Sequence, residues 1–546
     1  MALSLSAEQK SINDIFYSNI QYVIPDYQRA YSWGFDQCNQ LYVDLISAYQ
    51  EHRDYFLGNI IIAKSLDTRK RPQVVDGQQR LITLWLLLKV LSILCTSLRI
   101  TDYLVIPSIR KNEEDVLKIH SDVFETSDEA NIKGVYEYSR KSFDYRMGQV
   151  CDSKGEIREL RCFSRFEYVA LLYYQNLCKV EVSELERFTA FLVDHIYLLP
   201  IELNADTIQD ASNRALSIFE TINNRGMSLE NADIFKAKLY NKAMMNGAEE
   251  MFKKQWAEFR QATEDLGLSV DDIFRYYSHI IRGKENIMTS EKNLRDFFLL
   301  DSASPIFKND YKETMSDLLK IVDILRNIQG LEAHDQKIGR WLQILEAYSN
   351  GYPRFAIVNY LFVNTNYNIY DFCDFLISLV RYVYSLGATT NVKFEIYKII
   401  VRTSRGQSID SYFLSSEIDD FNQYKMLRKG YALLAYYLDG GNLMEKHWYD
   451  KLLSNSDRNE LSKNGWTTEQ EDYAINSLCN TIAINIPSRR KGMDDKFTYF
   501  HKENLIHPSE TFFRSSRTYN DFEVYELDMK KTFNRFFTDE TWKDWN

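Results

Sequence analysis

The feature that most constrains the fold is a short polar turn followed at once by a long apolar run. Two β-branched residues lead into Asp76-Gly77, a dipeptide that favours a tight backbone turn. A strongly apolar segment, residues 81–98, follows. This segment is short for a bilayer and has Lys89 near its centre, so it predicts a buried helix directly after a strand.

The polar turn, residues 76–80, carries groups suited to phosphate. A strand that turns sharply into a helix directs the free N–H groups of the helix at the turn, which favours an anion. We expect Asp76 to hold Mg²⁺ against a phosphate and Arg80 to fork onto that phosphate. Gln78 or Gln79 could orient an attacking water. The plainer interpretation is a polar helix start with Arg80 in solvent.

Composition indicates a globular chain of more than one domain. Its 546 residues exceed what one hydrophobic core usually holds, and its 45% apolar and 26% charged residues are ordinary. Only 8 Pro and 20 Gly are present, which favours helix over linker. The net charge of −11 argues against a protein coated in basic surface, although a local cationic groove suffices for nucleic acid.

Cysteine use and the N-terminal residues indicate a reducing compartment. The seven cysteines are scattered and contain no Cys-x-x-Cys pair, which fits reduced thiols and offers no zinc knuckle. Residues 1–10 lack the basic start and apolar run of a signal peptide. We therefore expect a cytoplasmic protein without a membrane segment.

Hydrophobic periodicity predicts an α+β chain that is predominantly helical. The predicted strands are 22–24, 55–63, 73–75 and 197–203. The predicted helices include a first helix capped by Ser6 with apolar positions at 12, 15 and 16, then 35–49, 163–177 and a run from 250 to 438. The composition becomes polar and mixed after residue 439. We predict three domains, at residues 1–245, 246–439 and 440–546.

Residues 24–33 predict an ordered loop, because they are dense in aromatic and polar groups and have no helical period. Tyr27, Gln28 and Arg29 lie in this loop. Ordered loops of this kind are frequent ligand walls. A loop packed under the sheet is an equally good interpretation when the segment is viewed alone.

Residues 213–229 predict a helix that ends at a glycine, followed by a second helix with Asp233 and Lys236. Asn224 and Arg225 fall in the corner between the two helices. They could present amide and guanidinium groups to a ligand, or the corner could be an ordinary helix cap.

Three of these motifs together resemble one protein family. They are Ile24-Pro25-Asp26-Tyr27-Gln28-Arg29 with Tyr31 and Trp33, Val74-Val75-Asp76-Gly77-Gln78-Gln79-Arg80-Leu81, and Phe219-Glu220-Thr221-Ile222-Asn223-Asn224-Arg225-Gly226. Over residues 8–245 their order and spacing resemble the ParB-like N-terminal module of the GmrSD family of modification-dependent restriction proteins, which SspE-like phage-defence proteins share. The resemblance implies a small ParB-like mixed-sheet domain that hydrolyses a nucleoside triphosphate to drive or gate DNA cleavage.

The resemblance also implies roles for particular residues. The catalytic, nucleotide-facing turn would consist of Asp76, Gln78, Gln79 and Arg80, with Tyr27, Gln28, Arg29, Asn224 and Arg225 in the same pocket. A metal ion, Mg²⁺ or Mn²⁺, would bind at Asp76. No Walker-type glycine–lysine loop occurs in the sequence, so this turn would be the phosphate site.

The family commonly ends in a small ββα domain, the His-Me-finger (HNH-like) nuclease, in which a histidine is the general base and one divalent metal stabilises the scissile phosphate. By resemblance, His447 is the base and Asn480 a catalytic metal-site residue. The match is loose, since no proline follows His447 and Cys479 replaces the usual glycine.

Several details of this C-terminal assignment stay open. Residues 494–497 would be the tail of the third nuclease element. His501 and His507 are alternative bases. Residues 444–453 are as compatible with a helix as with the expected hairpin.

We therefore expect an anti-phage defence enzyme that hydrolyses a nucleoside triphosphate and nicks or cleaves modified or foreign DNA. DNA, the nucleotide, and either a second copy or a partner defence protein are the expected partners, and a membrane is not. The alternatives are a nucleotide-switched DNA- or protein-binding module with a degenerate C-terminal domain, and a helical scaffold. Because Gln79 and Arg80 should lie outside the apolar face of their helix, their replacement by alanine should stop turnover without unfolding.

Overall fold

The structure is a computed structural model in which the chain forms two compact units, residues 1–257 and 258–546. It describes all residues except 1–3, 109–113, 124–126, 209, 213, 216–230, 301–304, 309, 388–391, 408–420, 486–495, 499–506 and 539–546. The expected α+β class with a predominance of helix is confirmed. The three-domain partition at 245 and 439 stays a prediction.

The first unit contains one large mixed sheet, as the sequence predicts. The strands of the first unit are β1 (Ser4–Ala7), β2 (Lys10–Ser11), β3 (Tyr22–Ile24), β4 (Tyr55–Ser65), β5 (Gln73–Asp76), β6 (Val105–Ile106), β7 (Val116–Leu117), β8 (Ile119–Ser121) and β9 (Ile196–Ala205). The sheet order is β1-β9-β4-β5-β3-β8, with β2 also on β9, while β6 and β7 pair separately. Strand β4 is parallel to β9 and antiparallel to β5, and β3 is parallel to both β5 and β8.

The helices of the first unit include α3, which begins one residue after β5. They are α1 (Ile12–Phe16), α2 (Phe35–Gln50), α3 (Gln78–Leu94), α4 (Asp128–Tyr136), α5 (Arg140–Val150), α6 (Arg165–Leu177), α7 (Val182–His195) and α8 (Asn231–Met245), and α9 (Glu249–Asp265) follows. Helix α3 packs against α6 and α7. Every residue from 81 to 91 is buried, which confirms the predicted core helix. Burial lowers the pKa of Lys89 within it to about 8.

Two β-bulges lie in the strands next to α3. Strand β4 pairs Ile61 with Asp76 but Ile62 with Val74, so Val75 is an extra residue in β5. Between β4 and β9 the register shifts at Leu57, just before Gly58, whose φ is 117°. Bulges redirect the backbone, and both of these lie beside the turn that carries Asp76.

The second unit is a set of helices with one small strand pair. The helices are α10 (Val270–Glu285), α11 (Pro305–Lys308), α12 (Tyr311–His334), α13 (Ile338–Glu346), α14 (Tyr352–Val363), α15 (Ile369–Leu386), α16 (Val392–Ser404), α17 (Arg428–Leu438), α18 (Arg458–Lys463), α19 (Thr468–Asn476), α20 (His507–Arg514) and α21 (Tyr519–Thr538). Strands β10 (Trp448–Lys451) and β11 (Thr481–Ile484) pair antiparallel, so the helical alternative for 444–453 is wrong. Among the described residues, no helix combines the length and apolarity needed to cross a bilayer.

An ion-pair cluster fixes the edge strand β8 of the large sheet. The Nε2 atom of His120 lies 2.7 Å from the carboxylate of Asp122, and its Nδ1 atom lies 3.1 Å from that of Glu129. The hydrogen bonds to Asp122 and Glu129 raise the pKa of His120 to about 9. The folded state therefore binds the proton of this imidazole more tightly than the unfolded chain does.

The cluster predicts a pH-dependent contribution to stability. Because the folded-state pKa of His120 exceeds the unfolded value of about 6.5, the contribution is complete below pH ~6.5 and is lost as the pH rises through 9. We expect His120→Gln to lower the free energy of unfolding by about 1 kcal/mol at pH 6, since the group is partly solvated, and by almost nothing at pH 10. Urea unfolding at both pH values measures this, and an equal loss at both would contradict it.

Candidate functional site

The strand–turn–helix at 73–80 has the backbone shape that the sequence predicts. Strand β5 ends at Asp76, Gly77 adopts φ 86° in the left-handed region, and α3 begins at Gln78. A side chain at position 77 would collide with Ile60 of strand β4, so this turn requires glycine for space as well as for φ. The free N–H groups at the start of α3 are thereby held close to Asp76.

Asp76 is a partly buried carboxyl group influenced by the charges of two guanidinium groups. Burial raises its pKa, while the charge of Arg80, the N–H of Gly77 and the charge of Arg29 act in the opposite direction. The three charged side chains therefore share one electrostatic environment. This combination of desolvation and charged neighbours is typical of functional sites.

Arg80 crosses the bulged end of strand β4. Its Nη1 atom donates a hydrogen bond of 2.8 Å to the carbonyl oxygen of Asn59. The guanidinium lies against the backbone of Gly58, where a Cβ atom would collide with it. Arg80 is thus a positioned, half-buried group, and the interpretation of a freely solvated arginine is wrong.

Gln79 holds the loop 25–33 onto the start of α3. Its Nε2 atom donates to the carbonyl oxygen of Ala30 at 3.1 Å, and its Oε1 atom accepts from the N–H groups of Ser32 at 2.8 Å and Trp33 at 3.2 Å. Gln79 is only 5% exposed. The expectation that Gln79 lies outside the buried face of its helix is therefore wrong, because this long-range contact buries it.

Gln78 leaves a buried polar atom without a hydrogen bond in the part of the chain that the structure describes. The Nε2 atom of Gln78 donates to the carbonyl oxygen of Arg29 at 3.0 Å, but its buried Oε1 atom accepts no hydrogen bond from those residues. Burial raises the pKa of the nearby Tyr27 hydroxyl, and the side chain of Ser212 acts in the opposite direction. Buried polar groups are nearly always paired, so the Oε1 atom of Gln78 indicates a place for water or ligand.

Helix α8 contributes two charged residues, Asp233 and Lys236, to the loop 25–33. The Nε atom of Arg29 lies 4.0 Å from a carboxylate oxygen of Asp233. The buried ammonium of Lys236 donates to the carbonyl oxygen of Gln28 at 3.2 Å. Asp233 and Lys236 are three residues apart and therefore lie on one helix face. From this spacing their joint contact with another segment could have been predicted.

The structure therefore brings most of the predicted nucleotide residues together. Gln28 completes the contact, because its Nε2 atom donates to the carbonyl oxygen of the bulged Val75 at 2.9 Å. The residues that converge are Tyr27, Gln28, Arg29, Asp76, Gln78, Gln79 and Arg80. Asn224 and Arg225 lie outside the described residues.

In the C-terminal segment, His447 precedes β10 and is half-buried. Burial lowers the pKa of its imidazole, and its ring centre lies 5.6 Å from that of Tyr449. The neutral form of this side chain is therefore favoured near neutral pH. His501 lies outside the described residues, and His507 begins helix α20.

Asn480 fixes the backbone that follows β10. Its Nδ2 atom donates to the carbonyl oxygens of Leu453 at 2.8 Å and Ile475 at 2.9 Å, and its Oδ1 atom accepts from the N–H of Leu453 at 2.7 Å. The residue is 1% exposed. In this structure its amide holds a turn in place.

His447 and Asn480 lie at opposite ends of the strand pair. Because Trp448 pairs with Ile484 and Lys451 with Thr481, their backbones are about five residues apart along the strands, or roughly 16 Å. One metal ion cannot bind both side chains across that distance. The structure does not bring these two predicted residues into one centre.

Of the predicted third nuclease element, Asp494 and Asp495 lie outside the described residues, whereas Lys496 lies inside them. The ammonium of Lys496 donates to the carboxylate of Asp457 at 2.6 Å and to the hydroxyl of Ser454 at 2.9 Å. This lysine is buried, so the pair fixes the segment after β10.

No group of three or more His, Cys, Asp or Glu side chains is placed to hold a metal ion, as far as the described residues extend. Mg²⁺ bound with a nucleotide needs only one or two carboxylates, because phosphates and waters supply the other ligands. The single carboxylate of Asp76 therefore fits such an ion.

Most of the first unit matches a protein-family model. Residues 12–240 match the family model described as GmrSD restriction endonuclease, N-terminal domain. This match spans the loop, the strand–turn–helix and the start of α8. It covers less than half of the chain, and no curated protein matches the chain.

Residues 12–240 are therefore similar to the N-terminal domain of GmrSD restriction endonucleases. We refer to residues 12–240 as the GmrSD-type domain. The ParB-like character of this domain, its nucleotide and the HNH-like nature of the C-terminal segment stay predictions.

The hydrogen bonds of Gln79 predict a large loss of stability on its removal. Gln79→Ala would leave three partly solvated backbone groups without this partner, so we expect the free energy of unfolding to fall by about 1–3 kcal/mol. Gln40→Ala, on the exposed face of α2, is the matched control and should cost less than about 0.5 kcal/mol. Urea unfolding compares the two variants, and similar small losses would show that Gln79 does not hold the loop.

Proposed function

We propose that the GmrSD-type domain binds and hydrolyses a nucleoside triphosphate with Mg²⁺ or Mn²⁺, and that this activity gates cleavage of modified or foreign DNA in an anti-phage defence enzyme. The observation that carries the proposal is the convergence of Arg29, Asp76 and Arg80 at a helix start within residues 12–240. Cationic side chains, free helical N–H groups and one carboxylate are together the requirements of a metal-bound polyphosphate.

The guanidinium groups would bind the phosphate oxygens. Arg80 has five N–H donors and uses Nη1 on Asn59, so its other donors stay available for a phosphate. The side chain of Arg29 is 31% exposed, and its charge also acts on Asp76. Asp76 would hold the metal ion, which when bound neutralises phosphate charge.

The two glutamines have different roles in this proposal. Gln79 is fully engaged in holding the loop 25–33, so it is a positioning residue. The side-chain Oε1 atom of Gln78, beside the turn, accepts no hydrogen bond from the residues that the structure describes. We therefore assign the orientation of the attacking water to Gln78, whose Oε1 atom would accept a hydrogen bond from it.

For DNA cleavage, His447 is the proposed general base. Its burial favours the neutral imidazole, which is the form that accepts a proton from water. Because Asn480 is engaged with Leu453 and Ile475, it would support the segment from a distance.

A second function is favoured by the geometry of the C-terminal segment. The separation of His447 from Asn480, and the engagement of the Asn480 amide, are what a degenerate nuclease domain would show. In that case the protein is a nucleotide-switched module that binds DNA or a protein.

The nucleotide proposal predicts that Arg80→Ala lowers kcat/KM for triphosphate hydrolysis by at least about 100-fold, because it removes a donor to the phosphate charge. Asp76→Asn should abolish the hydrolysis that Mg²⁺ or Mn²⁺ supports. Arg69→Ala, an exposed arginine paired with Asp67, is the control and should keep wild-type turnover. A wild-type protein that no Mg²⁺–nucleoside triphosphate stabilises thermally, and that hydrolyses none, would refute the proposal.

The nuclease proposal predicts loss of activity in His447→Ala. In a plasmid-nicking assay with nucleotide and Mg²⁺ or Mn²⁺, we expect a decrease of about 100-fold or more, the typical contribution of a general base. His195→Ala, which removes an exposed histidine paired with Asp54, is the matched control. Equal nicking by wild type and His447→Ala would exclude His447, and no nicking by wild type would favour the binding module.

A further inference from the structure

One surface of the first unit exposes large apolar side chains among basic residues. It consists of α5 and the segment that follows, residues 140–165, and we call it the α5 surface. Tyr145 is 67% exposed, Phe163 is 78% exposed and Leu160 is completely exposed. Such a group of exposed apolar side chains on a folded unit is typical of a binding surface.

The α5 surface is positively charged, although the chain has a net charge of −11. Residues 140–165 contain seven Lys and Arg against four Asp and Glu. Of those carboxylates, Glu159 lies 2.8 Å from Arg165 and Asp152 pairs with Arg158. Lys141 and Lys154 are exposed and form no ion pair with any residue that the structure describes. The excess positive charge is therefore available to a partner.

The exposed side chains are held in place by the rest of the surface. The guanidinium of Arg146 lies 3.8 Å from the ring centre of Phe163 and also forms an ion pair of 2.6 Å with Glu167. The same guanidinium donates to the carbonyl oxygen of Arg161 at 3.1 Å. Leu160 and Phe163 are thus presented on a fixed segment, which lowers the entropy cost of binding.

The positive charge and the exposed apolar side chains together fit duplex DNA. Lysine and arginine side chains bind phosphates and release counterions, and apolar wedges such as Leu and Phe insert between base steps in the minor groove. A purely apolar surface would favour a protein partner. Here, by contrast, the fully exposed Leu160 is next to Arg161 in the sequence, and its other neighbour, Glu159, is paired with Arg165.

The α5 surface also contacts the loop of the candidate site. Arg165 donates from Nη1 to the carbonyl oxygen of Ser32 at 2.8 Å, and the N–H of Ser32 donates to Gln79 at 2.8 Å. Two hydrogen bonds, both made by Ser32, therefore connect this surface to the helix start that carries Arg80. This contact gives the nucleotide site a direct route to the surface.

We propose that the α5 surface binds duplex DNA, with phosphates on Lys141, Lys154 and their neighbouring arginines and with Leu160 and Phe163 as minor-groove wedges. The inference rests on the proposed function in DNA cleavage and adds to it the surface on which the DNA lies. It places DNA binding in the GmrSD-type domain as well as in the segment that carries His447.

The charge contribution is tested with the full-length double variant Lys141→Gln/Lys154→Gln. Fluorescence anisotropy with a labelled duplex, measured over a range of salt, gives the slope of log affinity against log salt. Each lost phosphate contact reduces the magnitude of this slope by about 0.9. We therefore expect the magnitude to fall by about 1.8 in the double variant. The matched control is Arg69→Gln/Lys70→Gln, which removes two exposed charges outside the α5 surface and should leave the slope unchanged.

The apolar contribution is tested with Leu160→Ala/Phe163→Ala. Both residues are exposed, so the melting temperature should stay close to the wild-type value. We expect affinity for the duplex to fall about tenfold while the salt slope stays unchanged, because no phosphate contact is lost.

Three outcomes would overturn the inference or the function on which it rests. A wild type that binds and cleaves DNA, with unchanged binding by both α5-surface variants, would refute the α5 surface alone. An oligomer that dissociates in Leu160→Ala/Phe163→Ala with DNA binding intact would show that the surface binds protein. A wild type that neither binds nor cleaves DNA would refute the proposed function itself.

Discussion

The candidate site depends on one contact, between the start of α3 and the loop 25–33. Gln79 supplies three hydrogen bonds to the loop, and Gln28 returns one to the bulged Val75. Both glutamine side chains are buried, and a buried polar group left unpaired costs about 1–3 kcal/mol. Loop and helix start therefore fix each other, and Arg29 is held beside Asp76 as a result.

The local elements of the first unit could be predicted because each has a local cause. Short apolar runs give β3, β4, β5 and β9, and the left-handed Gly77 ends β5. The all-round burial of α3 follows from its apolar sequence. The predicted cap at Ser6 is wrong for the opposite reason. Ser6 lies in β1, which pairs with β9 far along the chain, and Ser11 caps α1 instead.

The roles within the site could be predicted only in part. The motif places Gln78 and Gln79 side by side, but only the position of the loop decides which amide is consumed by protein contacts and which keeps a free oxygen. The same holds in the second unit, where the register of β10 and β11 separates His447 from Asn480. Spacing along a sequence identifies groups of suitable chemistry, whereas tertiary pairing decides which of them meet.

The central claim is that the turn after Val75 binds a polyphosphate, and a crystal structure with a non-hydrolysable nucleoside triphosphate and Mg²⁺ tests it most directly. We predict phosphate oxygens within about 3 Å of the guanidinium groups of Arg29 and Arg80, with the metal ion on Asp76. A nucleotide bound elsewhere in the protein, with Asp76 and both arginines away from it, would contradict the account.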